Sequence, residues 1–228
     1  MSIKKIGHRG AKGHLAENTL ESVQKAITLG VDMVEVDVHR CKTGELVVIH
    51  DFTLDRTTDG SGEITQHSLR ELKSLRIENT YKIPRLTEVM DLVSGKCHLN
   101  IELKGSNTAV ETSRIVRHYV EKKHWQYSEV IVSSFQKNEL FRMREENKEI
   151  PLGVLSKASM TEAIELAKML KATAIHPSLG IVTSENIQQA KQAGFKVTVW
   201  TVNDQETIAR IKTFDVDGII SDFPERLL

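Results

Sequence analysis

Residues 31–51 read "VDMVEVDVHRCKTGELVVIHD". Val34, Val36 and Val38 alternate with Glu35, Asp37 and His39, the period of a β-strand whose two faces meet different surroundings. A turn signal, "KTGE", follows, and then a second apolar run, "LVVI", that ends in His50-Asp51. Parallel neighbours need a connection of roughly a dozen residues or more, so the second run is predicted as an antiparallel hairpin arm. With the turn centred near Thr43-Gly44, His50 comes opposite Asp37. Two acids on the polar face need no explanation if that face is in water. Pointed into a closed site, they require a cation.

The rest of the chain repeats one unit, strand then helix. Strands are predicted at "IKKIG", "DMVEVDV", "CHLNIELK", "EVIVSSF", "LGVLS", "TAIHP", "FKVTVWTV" and "DGIIS". Helical periodicity separates them, beginning with "NTLESVQKAITLG", where Asn18 is read as the N-cap, Glu21 supports it three residues on and Gly30 is the stop. Eight such units predict an α/β fold of the (β/α)8 TIM-barrel type, one domain over residues 1–228. An open dinucleotide-binding sheet would want G-x-G-x-x-G after its first strand, and "GHRGAKGH" lacks that spacing. The polar, turn-rich segment at about 52–84 has one weak helical run, "SLRELKSL". It is predicted as a small cap inserted after the hairpin that follows strand two.

The 228 residues are 27% charged with a formal net charge of zero, enough chain for a sizeable core and no basic footprint for nucleic acid or anionic membrane. Cys41 and Cys97 show no metal-type spacing and read as free thiols of a reducing compartment. "MSIKKIGHRG" has no hydrophobic h-region and no apolar run approaches a membrane span, so a cytoplasmic protein without membrane insertion is expected. No apolar stripe singles out an oligomer interface, which leaves the oligomeric state open.

In a (β/α)8 barrel, chemistry gathers at the C-terminal ends of the strands. Strand one ends in His8-Arg9-Gly10, strand two carries Glu35 and Asp37 with His50 returned beside them, and strand three puts Asn100, Glu102 and Lys104 on one face. These strands are neighbours, so three carboxylates should meet two histidines, an arginine and a lysine. Three inward carboxylates cannot all stay ionised without compensating charge, and an all-oxygen set selects a hard divalent cation, Mg²⁺ or Ca²⁺ before Zn²⁺. Arg9 and Lys104 add positive charge that suits a phosphate ester. His8 and His50 suit a general acid and a general base, since imidazole titrates near pH ~6.5.

Trp200, at the end of strand seven, is read as pocket wall, and Glu17 and His176 as groups just behind the site. Asn18 and Thr19 are assigned to helix capping. Taken alone, Glu35 and Asp37 would fit a solvated strand face, and His50 a hairpin histidine. Glu102 on the adjacent strand and His8-Arg9 beside it tip the reading toward a site. His67, His118 and His124 fall in helical or insertion contexts and are expected at the surface.

In order along the chain, "GHRG…ENT", "EVDV", "VVIHD", "IELK", "SSF", "VWTVN" and "SDFP" resemble the bacterial-type glycerophosphodiester phosphodiesterases, from residue 3 to the C-terminus and with the polar insertion after "HD". Each motif alone is weak, whereas the ordered set is specific. The resemblance implies a metal-dependent barrel hydrolase that cleaves glycerophosphodiesters, the deacylated phospholipid head groups, to sn-glycerol 3-phosphate and an alcohol. Position by position, it implies His8 and His50 as the acid–base pair. Glu35, Asp37 and Glu102 would be metal ligands, and Arg9 and Lys104 phosphate contacts. Ser221 stands where many members have threonine, which keeps the hydroxyl. Water and the glycerol's neighbouring hydroxyl both fit as nucleophile, and either histidine fits as acid or base.

Three rival readings differ in what they require of the chain. A lysophospholipase D would need an apolar channel or anchor near the site, and the 52–84 insertion is short and polar. A non-catalytic phosphate sensor would bind without turnover. An aldolase with Lys104 as Schiff base would leave the three carboxylates without a role.

Overall fold

The computed structural model describes residues 3–227. Its strands are β1 (Lys4–Gly7), β2 (Met33–Arg40), β3 (Leu46–Val48), β4 (His98–Leu103), β5 (Val130–Ser134), β6 (Leu152–Ser156), β7 (Ala174–Pro177), β8 (Lys196–Val199) and β9 (Gly218–Ser221). The helices are α1 (Leu20–Thr28), α2 (Leu69–Ser74), α3 (Leu86–Val93), α4 (Ala109–Lys122), α5 (Lys137–Glu146), α6 (Met160–Leu170), α7 (Ser184–Gln192) and α8 (Gln205–Lys212). β1 pairs in parallel with both β2 and β9, which closes eight parallel strands into a barrel, and β3 lies antiparallel on β2. The expected (β/α)8 barrel with a hairpin and an inserted cap is the fold observed.

The alternation in β2 explains how the barrel is filled. Val34, Val36 and Val38 are fully buried and pack with Val23 and Ala26 of α1 and Val89 and Met90 of α3 in the layer between strands and helices. Burying three valines contributes about 5 kcal/mol. That is comparable to the several kcal/mol that one buried, unpaired ion costs. The strand can therefore hold acids in the lumen, but only if other groups share the cost.

The hairpin forms in a different register from the one predicted. Val38 stands opposite Val48, and the Ile49 N–H donates to the Asp37 carbonyl at 3.1 Å. Ile49, and not His50, is therefore opposite Asp37. The turn is centred on Thr43 rather than between Thr43 and Gly44: the Cys41 N–H donates to the Glu45 carbonyl, and Gly44 closes the loop at φ +104°, where glycine pays no steric penalty. A shift of one residue exchanges the faces of a strand, and His50 lies beyond the end of β3.

Between β3 and α3 the chain builds the cap. Ser68 and Glu71 form a reciprocal capping box that starts α2. Leu54, Ile64, Leu72, Ile77 and Ile83 form a small core with Val47 and Ile49 from the hairpin, separate from the main core. The cap is polar at its surface only. At the start of α1 the N-cap is Thr19, whose hydroxyl accepts the Ser22 N–H, and not Asn18 as predicted. Among the described residues no helix is long and apolar enough to cross a membrane.

Candidate active site

The parallel register sets Asp37 beside Glu102 and Glu35 beside Asn100, all at the lumen. Carboxylate oxygens of Glu35, Asp37 and Glu102 come within 4.8 Å of one another, and all three residues are buried. Burial pushes Glu35 and Glu102 up, and the neighbouring Asp37 charge pushes in the same direction; Glu102 rises to about 7. Lys104 Nζ donates to Glu102 Oε1 at 3.0 Å and lies 3.9 Å from Asp37 Oδ1. Glu35 Oε2 accepts the Arg9 backbone N–H, but its Oε1 is buried with no hydrogen-bond partner. An orphaned carboxylate oxygen beside two more acids fits a hard cation, which would take the place of the missing donor.

Arg9 is positioned by an unusual backbone. Its φ is +51°, and the carbonyl this turn presents accepts the Asn18 N–H at 3.0 Å and the Ser22 hydroxyl at 3.1 Å. Gly10 follows at φ +88°, where a Cβ would meet Ser22 at 2.5 Å, so "HRG" requires its glycine. The guanidinium then spans Glu17 at 2.8 Å and Asp37 at 3.3 Å. Burial alone would raise Glu17, but the hydrogen bond from Arg56 and the charges of Arg9, Arg56 and Lys12 outweigh it and hold the carboxyl at about 2.

The two predicted histidines share a construction. His8 Nδ1 donates to Asp222 Oδ1 at 2.5 Å, and His50 Nδ1 donates to Asp51 Oδ1 at 2.6 Å. A carboxylate can only accept, so each Nδ1 carries the proton and each Nε2 is left with its lone pair. Asp222 is fixed in turn by Asn203, whose Nδ2 donates to Oδ2 and whose Oδ1 accepts the Asp222 N–H. Asp51 is gripped by Arg56 through both carboxylate oxygens, and Arg56 continues to Glu17 at 2.6 Å. Burial lowers both imidazoles; the Asp222 hydrogen bond opposes it most at His8 and the Asp37 charge most at His50.

Of the residues predicted for the site, Arg9, Glu17, Glu35, Asp37, Glu102 and Lys104 form one connected network, and His50 joins it through Asp51 and Arg56; His8, next to Arg9 in the chain, bonds separately to Asp222, which Asn203 holds. Trp200 lies at the same end of the barrel, edge-on to Phe135. His176 is within the lumen, fully neutral at pH 7 because burial lowers it to about 4, and its carbonyl accepts the Trp200 indole N–H at 2.8 Å. It supports Trp200 and adds no charge.

Four participants have no site role in the sequence reading, although Asp222 falls at the end of the last strand, where the site gathers. Asp222 and Asp51 orient the histidines, and Arg56 holds Asp51. Asn18, read as a cap, is buried at φ +60° and brackets Asp37: its Nδ2 donates to Oδ2 at 2.9 Å and its Oδ1 accepts the Asp37 N–H. Signals existed for two of them. "SDFP" ends the last strand, which in a closed barrel neighbours the first, and "HD" places Asp51 next to His50.

Residues 8–226 match the glycerophosphoryl diester phosphodiesterase family. The chain belongs to that family. A glycerophosphodiester phosphodiesterase of Caldanaerobacter subterraneus subsp. tengcongensis is 34% identical over 98% of this chain and 95% of its own length. The solved structure of an Oleispira antarctica phosphodiesterase in complex with the product sn-glycerol-3-phosphate superposes with a TM-score of 0.89. It is 30% identical and is matched over 100% of this chain and 95% of that one. A glycerophosphodiester phosphodiesterase of Thermotoga maritima, also 30% identical, gives a TM-score of 0.79 over 99% of this chain and 96% of its own. Members of this phosphodiesterase family are hydrolases, and the buried acids of this one sit where the strands end.

Proposed function

We propose that the chain hydrolyses glycerophosphodiesters to sn-glycerol 3-phosphate and an alcohol. The observation that carries this reading is a buried carboxylate triad flanked by two histidines, each with an aspartate on Nδ1. Glu35, Asp37 and Glu102 would hold a divalent cation, with Mg²⁺ and Ca²⁺ as the candidates for oxygen ligands alone. When bound, such an ion supplies positive charge that polarises a phosphoryl oxygen.

The chain's own groups do the rest. The Arg9 guanidinium and Lys104 ammonium lie beside the carboxylates with hydrogen atoms to spare for phosphoryl oxygens. One imidazole Nε2 takes a proton from the attacking water or glycerol hydroxyl while the other, protonated, gives one to the departing alkoxide. The aspartate behind each ring stabilises the imidazolium and offsets part of the burial that lowers both histidines. We further propose that residues 1–228 act as one catalytic unit and, from the free Cys41 and Cys97, that it works in the cytoplasm.

The test is release of glycerol 3-phosphate from glycerophosphoethanolamine by chelator-stripped protein, without metal and with Mg²⁺ or Ca²⁺, alongside His50→Ala. Turnover restored by a divalent ion and lost in the variant supports the reading. Turnover persisting in excess chelator would remove the cation from it. Activity on lysolipid micelles alone would make the enzyme a lysophospholipase D instead.

A further inference from the structure

The mouth of the barrel has two unlike sides. His8, Arg9 and His50 come from β1 and the hairpin. The far side is built by the residues immediately after β5, β6 and β8: Phe135, Lys157 and Trp200. Phe135 and Trp200 meet edge to face with centroids 5.5 Å apart, and Phe135 stays 37% exposed. An exposed aromatic pair ordinarily receives a ligand cation on the negative face of a ring. Here two ammonium groups already stand over Phe135: Lys104 Nζ at 5.8 Å and Lys157 Nζ at 5.9 Å from the centroid. Lys104 is paired with Glu102 and Asp37. Lys157 is exposed and, among the described residues, pairs with no carboxylate. The wall therefore presents an uncompensated positive charge beside its two aromatic rings.

We propose that Lys157 determines head-group specificity, favouring glycerophosphodiesters whose alcohol carries an anionic group such as a carboxylate over those that end in a cationic ammonium. The inference rests on the phosphodiesterase reading and names the substrate class of that site. The glycerol half of every such diester offers only hydroxyls, between which one ammonium does not discriminate, so a charge-selective group at the mouth acts on the variable alcohol. A unit charge about 6 Å away in a partly wet cleft changes kcat/KM by roughly ten-fold between like and unlike partners.

The experiment measures kcat/KM for glycerophosphoserine, glycerophosphoethanolamine and glycerophosphocholine with the metal-loaded enzyme, with Lys157→Ala and with Lys157→Glu, at low and high salt. Lys157 is exposed, so both variants should fold. The serine diester keeps the ammonium of the ethanolamine diester and adds one carboxylate, so the unmodified enzyme should prefer it to the ethanolamine diester by about ten-fold. That ratio should approach parity in Lys157→Ala, invert in Lys157→Glu, and shrink in high salt as exposed charges are screened. A ratio unmoved in both variants, or an equal loss for all three substrates, would overturn the proposal, because Lys157 would then face nothing or the common glycerol phosphate. Absence of turnover with every diester by the unmodified protein would instead defeat the phosphodiesterase reading beneath it.

Discussion

His8 and His50 hold the same attachment, an aspartate on Nδ1, yet the two assemblies are built from different materials. His8 sits at the end of β1 with a side chain 14% exposed, and its aspartate comes from the end of β9, held by the neutral amide of Asn203. His50 sits on the hairpin with a side chain 25% exposed, and its aspartate is the next residue, held by the charged guanidinium of Arg56, itself half exposed. His39 adds a second restraint, donating from Nε2 to the His50 carbonyl at 3.0 Å. The first histidine is set by barrel closure and neutral hydrogen bonds, the second by local chain and ion pairs. Ion pairs in water are weak and screened; a hydrogen bond to a rigid neighbour is neither.

The comparison breaks most sharply if the two histidines turn out unequal. We expect His8→Ala and His50→Ala each to lower kcat by about 10³-fold, the middle of the range for a positioned acid or base. Retention of a tenth of the activity in either folded variant would take that residue out of the proton path. A smaller and more informative difference lies one step behind. Asp222→Asn removes a group that raises His8, so the limb of the pH–rate profile that belongs to His8 should move to lower pH, with kcat reduced roughly 10²-fold. Asp51→Asn should act in the same direction by about ten-fold, because water already screens that pair. Arg56→Gln should cost only a few-fold, and its effect should vanish in high salt while that of Asp222→Asn persists.

The last expected effect concerns stability and not rate. His176 is buried and lowered to about 4, against 6.5 in the unfolded chain. The unfolded state therefore binds a proton that the folded state refuses between those two values. Stability is unaffected above pH 6.5 and falls as pH drops toward 4, by on the order of 3 kcal/mol. Urea unfolding of His176→Gln at pH 7.5 and pH 5 should show a flatter dependence than the unmodified protein. An equal slope would mean that His176 becomes protonated within the fold.

Why these features differed in legibility follows from the distance over which each is decided. The barrel was readable because the alternation in β2 and the 3.6-residue periods between strands are local. The carboxylate triad was readable because two of its members share a strand and the third is one parallel neighbour away. The register of the hairpin was not, since a three-residue and a two-residue turn at "KTG" differ by one position and exchange strand faces. Asn18 was misassigned because asparagine and threonine are both good N-caps; Thr19 took that position, and Asn18 turned toward Asp37. Asp222 carried its signal only once closure was assumed.

Closure also governs when the enzyme can exist. His8 and Asp222 are separated by 214 positions, and the bond between them bridges the two ends of the barrel. Synthesis runs from the N-terminal side, so His8 is made 214 positions ahead of the aspartate that orients it. The cap, whose core lies within residues 16–83, can gather its contacts much earlier. Until β9 is made and closes the barrel, the His8 ring therefore lacks the carboxylate that orients it.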